Sequence, residues 1–128
     1  MRVEIQDVKD SSDARPVVQF SSEFGNARAH WSGDAPTPGD IYFVEFTVGG
    51  TLTWGDDILP IAESTPSLSQ DGQETVIRAK LESHEDDGVA FLRVGDSLLM
   101  AETQGAAPPV GSFVEARVRD LSLSDTGI

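Results

Sequence analysis

A chain of 128 residues, 38% of them hydrophobic and none of them cysteine, is long enough to bury its own core and divides into two very small units at most. Without cysteine it has no disulfide, no thiolate nucleophile and no zinc-thiolate site. The net charge of −13, with ten acids against four bases up to Ala62 and twelve against five beyond it, covers the whole surface with negative potential and argues against a phosphate-neutralising nucleic-acid interface.

The polar stretch from Asp7 to Asp13 reads as a loop. Val18 and Phe20 then share one face of a strand, and Ala27, Ala29 and Trp31 alternate with Arg28 and His30 in the next. Period-two alternation of this kind marks a strand with one buried face. Tyr42, Val44, Phe46 and Val48 alternate with Phe43, Glu45 and Thr47 in a third, Gly49-Gly50 turns, and Leu52 and Trp54 follow. From Glu63 to Glu74 the chain is rich in Ser, Pro, Gln and Gly and reads as a linker.

Beyond it, Ile77, Ala79 and Leu81 face opposite to Arg78, Lys80 and Glu82. Asp86-Asp87-Gly88 supplies residues tolerant of the left-handed conformation, as a hairpin connection needs. Val89–Val94 is the return strand, Gly95-Asp96-Ser97 a second turn, and Leu98–Glu102 a third strand. Gly105 and Pro108-Pro109 make Thr103 to Val110 a loop. After Gly111, Val114, Ala116 and Val118 alternate with Phe113, Glu115 and Arg117, and Leu121 and Leu123 close the series in a short strand.

The two halves echo each other. Val44-Glu45-Phe46-Thr47-Val48, a turn, then Leu52-Thr53-Trp54 is matched by Val114-Glu115-Ala116-Arg117-Val118, a turn, then Leu121-Ser122-Leu123. A repeat at this spacing bears on topology before any fold is assigned. The expectation is an all-β, antiparallel chain with little helix, built from two related small β-units, 1–62 and 75–128 with a linker 63–74, either separate or packed as a single domain.

The second unit, from Thr75 to Ser124, resembles an OB-fold in its order: a three-strand meander, a connection, a Gly-initiated fourth strand and a short fifth. The resemblance implies a small barrel whose second and third strands offer a ligand face for oligonucleotides or oligosaccharides. Phe91 and Arg93 lie on that face, but Asp86, Asp87 and Asp96 at the adjoining turns give it the wrong field for phosphate. The resemblance departs from many OB domains at Thr103 to Val110, too short and proline-rich for their usual helix.

No nucleophile elbow, phosphate loop or dinucleotide fingerprint occurs. His84 adjoins Glu85, Asp86 and Asp87, but consecutive turn residues splay their side chains, and no EF-hand spacing is present. His84 to Gly88 and Asp56-Asp57 therefore read as solvated turns, and Trp31 and Trp54 as core. Neither catalytic residues, a metal nor a cofactor is expected. With no apolar run of about 18 residues and an acidic start, the chain is expected to be cytoplasmic, with no membrane partner.

In size, charge and lack of chemistry the chain is similar to small acidic bacterial immunity proteins. That similarity implies a non-enzymatic protein docking on a basic protein partner, such as a toxin, through Asp56, Asp57, Glu85, Asp86 and Asp87 with Phe91 and Arg93. A DNA-mimic inhibitor and an OB-like binder of an oligosaccharide or oligonucleotide are the alternatives. Oligomeric state has no signature in the sequence.

Overall fold

The computed structural model describes residues 1–9 and 15–127, so Asp10 to Asp13 of the expected loop lie outside the described residues. Twelve strands and no helix are present among them. In order they are β1 (Arg2–Lys9), β2 (Val17–Ser22), β3 (Gly25–Ser32), β4 (Ile41–Val48), β5 (Thr51–Thr53), β6 (Ile58–Pro60), β7 (Ser67–Asp71), β8 (Glu74–His84), β9 (Val89–Val94), β10 (Ser97–Gln104), β11 (Phe113–Val118) and β12 (Leu121–Asp125). The fold is all-β, as the alternation and the scattered Gly and Pro require.

β1, β2, β3, β12 and β4 form a closed barrel in that order. The second sheet runs β5-β10-β9-β8-β11-β6, with β7 also paired to β8. Its two ends meet at a bridge between Trp54 and Ile58, so it too is nearly a barrel. The sheets are mixed, which corrects the antiparallel expectation: β12 runs parallel to β3, and β5 parallel to β10.

These two parallel pairings show what the echo means. In each unit a three-strand meander (β1-β2-β3, β8-β9-β10) is followed by a fourth strand that returns antiparallel to the first: β4 to β1, and β11 to β8. The chain then crosses over. β5 leaves the first unit and pairs with β10 of the second, while β12 leaves the second and fills the gap between β3 and β4 of the first. Each barrel is thus completed by the other half's strand. The crossing segments touch where the Gly49 amide donates to the Asp120 carbonyl at 2.8 Å. The last strand was expected to complete the second unit. Its Leu121 and Leu123 carry no signal for which of two similar half-barrels they enter, and topology alone decides.

Burial follows the alternation. Ile77, Ala79 and Leu81 of β8, Ala90, Leu92 and Val94 of β9, and Val114, Ala116 and Val118 of β11 are all buried. Three strands escaped the sequence reading: β1, β7 and the three-residue β6, which offers only Ile58 to the interior. β1 buries Val3 and Ile5, one residue apart, between outward-facing Arg2, Glu4 and Gln6. β7 lies within the expected linker, with Leu68 its buried apolar residue. The buried residues of both barrels form one continuous cluster that includes Trp31 and Trp54. Trp54 Nε1 donates to Thr103 Oγ1 at 3.0 Å, and that hydroxyl donates to the Gly88 carbonyl at 2.6 Å. The indole is thereby buried with its polar atom satisfied.

Candidate functional site: a basic cleft between the barrels

The acidic turns do not converge. Asp56 is exposed, and Asp57 is half-buried and holds its own turn, its Oδ2 accepting from the Thr53 amide at 2.8 Å. Glu85, Asp86 and Asp87 are exposed, and Asp87 Oδ1 accepts from the Val89 amide at 3.1 Å. Arg93 is half-buried and paired with Glu82 at 3.3 Å, on the same strand as half-buried Phe91. Among the described residues no three acidic or histidine side chains come together as a metal-holding group. Asp57→Ala is expected to cost about 1 kcal/mol, the usual worth of one such hydrogen bond, measured by urea denaturation.

His84 differs from its expected solvated turn. It ends β8 half-buried, its Nε2 is buried without a hydrogen-bond partner among the described residues, and its ring stands edge-on to Trp54 at 6.5 Å. The large apolar indole draws the imidazole inward, while the three acids that follow stay in water.

A concavity that gathers guanidinium, amide and hydroxyl groups lies elsewhere, on the seam between the barrels. It has a volume of about 150 Å³ and is lined by Val17 of β2, Arg28, Ala29 and His30 of β3, Gln70 of β7, Gln73, Thr75 of β8, and Arg119 with Leu121 at the second crossing. Among the described residues no carboxylate lines it. Alternation along β3 positions the site: Ala27, Ala29 and Trp31 turn into the barrel, leaving Arg28 and His30 on the outer face towards β7.

Main-chain and side-chain bonds fix this wall. The Arg28 amide donates to Gln70 Oε1 at 3.0 Å, Gln70 Nε2 donates to the Gly72 carbonyl at 3.1 Å, and Arg28 Nη2 donates to the same carbonyl at 2.5 Å. Thr75 Oγ1 lies 3.1 Å from the Arg28 carbonyl and 3.2 Å from Gln70 Oε1, its one proton serving either. His30 is half-buried; its Nδ1 is buried with no hydrogen-bond partner among the described residues, a rarity for a screened polar atom. Nearby, Arg117 bonds Asp71 at 2.9 Å and lies 3.6 Å from Glu74. The hydrogen bond to Asp71 is the main reason its guanidinium is held above its ordinary pKa.

A wider hollow of about 540 Å³ between β4 and β10 is lined by Phe43, Phe46, Leu98 and Met100 with Glu45 and Asp96 at its polar side. It offers apolar side chains and acids but none of the amide and guanidinium donors of the seam.

Sequence reasoning noted His30 and passed over Arg28, Gln70, Gln73 and Arg119. Alternation placed Arg28 and His30 outside the barrel. Nothing in one sequence says that Gln70, in an apparent linker, is brought against β3 by strand pairing.

No family model matches the chain, and no solved structure matches it. It is 25% identical over 138 aligned residues to a C-glycoside 3-oxidase from Microbacterium trichothecenolyticum, an alignment that takes in 91% of this chain and 27% of the oxidase. The chain thus spans about a quarter of the length of this curated relative. The similarity is to an enzyme, and it overturns the expectation of a non-enzymatic acidic protein, whether toxin-neutralising, DNA-mimicking or an OB-like binder. Size and net charge govern solubility and encounter and carry no information about chemistry, which is why they pointed elsewhere.

Proposed function

We propose that this chain is the all-β part of an enzyme that oxidises a glycoside, and that the cleft on the barrel seam holds the sugar. The observation that carries the reading is the alignment of nearly the whole chain with a C-glycoside 3-oxidase. The cleft supports it chemically. Binding sites for small polar molecules set a few fixed hydrogen-bonding groups over an apolar floor. Here Gln70, Gln73, Thr75 and two guanidiniums share the lining with Val17, Ala29 and Leu121. A space of about 150 Å³ is the share of about five waters, the size class of a single sugar ring.

The connectivity supports it as well. Each barrel, taken with its borrowed strand, resembles an OB-fold, and OB barrels present their ligands on the second and third strands and the adjoining loops. In the first barrel those strands are β2 and β3, which carry Val17, Arg28 and His30, and the loop into the borrowed strand carries Arg119. A cytoplasmic place of action fits the absence of cysteine.

Titrating the isotopically labelled protein with a C-linked glucoside tests this. Amide shifts are expected at residues 28–30, 70–75 and 119–121, with Gln70→Ala weakening binding by roughly tenfold, through loss of the one Nε2 proton left for the sugar and of the bonds that fix the wall. Absence of shifts at millimolar ligand, or shifts confined to another face, sinks the reading.

A further inference from the structure

We infer that the glycoside taken by this cleft carries a carboxylate, as a uronic acid does, with Arg28 as its anchor; the inference rests on the cleft being a sugar site. Arg78, Arg93, Arg117 and Arg119 each have a carboxylate within 4 Å, as a protein of charge −13 readily arranges. Arg28 has none among the described residues: its side chain bonds only the neutral Gly72 carbonyl. One such bond occupies a fraction of a guanidinium's five donors, and the remainder form a fork that matches a carboxylate's two oxygens.

Among the described residues few acids compete for that fork. The cleft, among the described residues, is lined by Arg28, His30 and Arg119 and by no carboxylate; Glu74 engages Arg119 at 3.5 Å without itself lining the space. A second hollow of about 180 Å³ adjoins it, sharing Val17 and Arg28 and adding Lys9, Gln19 and one acid, Asp7. Asp7 is partly committed, its Oδ1 accepting from the Val8 amide at 3.0 Å. Arg28 therefore stands between two compartments, one rich in amide and hydroxyl groups and one with a lysine. That arrangement suits a sugar ring on the first side, the carboxylate at the arginine, and the group linked to the sugar on the second. Cationic side chains gathered in one cleft of an otherwise negative molecule concentrate local positive potential where an anion would sit.

Methyl β-glucuronide and methyl β-glucoside differ at one position, a carboxylate in place of a hydroxymethyl group, and their affinities for the whole chain decide the matter by calorimetry or amide shifts. The glucuronide is expected to bind roughly tenfold tighter or more, as one charge-assisted hydrogen bond gives. Arg28→Gln is expected to erase that preference and exposed Arg119→Gln to halve it or more, so a folding defect in one variant leaves the other to report. Equal affinity for the two glycosides overturns the inference while leaving the sugar site standing. Failure of both to bind overturns the sugar site and the inference together. Displacement of the glucuronide by acetate at equal concentration overturns the inference in favour of a bare anion pocket.

Discussion

Gly25→Ala is expected to remove more than about 3 kcal/mol of stability, enough to leave a marginal domain largely unfolded. Two independent costs coincide at this residue. Its φ of +134° lies in a region that residues with a side chain rarely adopt. A Cβ added there would sit 1.9 Å from the Leu68 carbonyl oxygen. The obstacle is main chain, so no rotamer change relieves it. Retreat of β7 would break the Leu68 amide bond to the Phe24 carbonyl, 2.9 Å, and carry Gln70 away from the cleft. Gly49→Ala is the informative contrast. Its added Cβ would meet Asp120 Oδ2 at 2.2 Å, but that atom ends a flexible, exposed side chain that can swing aside. Urea denaturation of both variants measures the difference; a Gly25→Ala protein within about 1 kcal/mol of the parent would show that β3 and β7 are not locked together as described.

The second large effect is expected at the borrowed strands. Leu123 of β12 and Ile58 of β6 are both fully buried, each completing the barrel built by the other half of the chain. Leu123→Ala and Ile58→Ala should each cost about 2–5 kcal/mol, the range for deleting most of a buried aliphatic side chain. The location of the damage is the more telling readout. Trp31 sits in the first barrel and Trp54 at the closure of the second, so single-tryptophan proteins made by Trp→Phe changes report the two barrels separately. Because the buried cluster runs through both and each barrel holds the other's strand, either substitution should shift both reporters by the same amount. Separate transitions for the two tryptophans would mean that the barrels unfold independently, against the exchange.

Where one face of a strand is buried and the other wet, alternation identified it, as for Ile77, Ala79 and Leu81 or Ala27, Ala29 and Trp31. The same rule could have found β1 from Val3 and Ile5, but only two inward residues mark that strand, and its acids drew it towards a solvated reading. β7 was beyond reach: Leu68 among serines and glutamines has no period of its own, and β8 and β3 hold it in place from either side. β4 obeys the rule as well: Val44 is fully buried and Tyr42, Phe46 and Val48 on the same face pack against the core in part, while Ile41, Phe43, Glu45 and Thr47 on the other face are exposed.

The cleft was the least legible part. Its lining comes from β2, β3, β7, β8 and the approach to β12, segments far apart in the chain. Local pattern reports on hairpins and turns, whereas the seam depends on which half-barrel receives which fifth strand. The echo between residues 44–54 and 114–123 held the relevant information, because equivalent strands make equivalent pairings. It showed that two strands were alike without showing that they had changed places.

The exchange also sets the pace of assembly. A hairpin such as β8-β9 brings together residues close in sequence and can form within microseconds. The first barrel has no such freedom: after Val48 it waits for Leu121, and the chain between them must itself be ordered before β12 is delivered. High contact order of this kind places folding towards the slow end for domains of this size. Until delivery, the facing sides of β3 and β4 are unsatisfied ladders open to any passing strand, so refolding yield should fall as protein concentration rises.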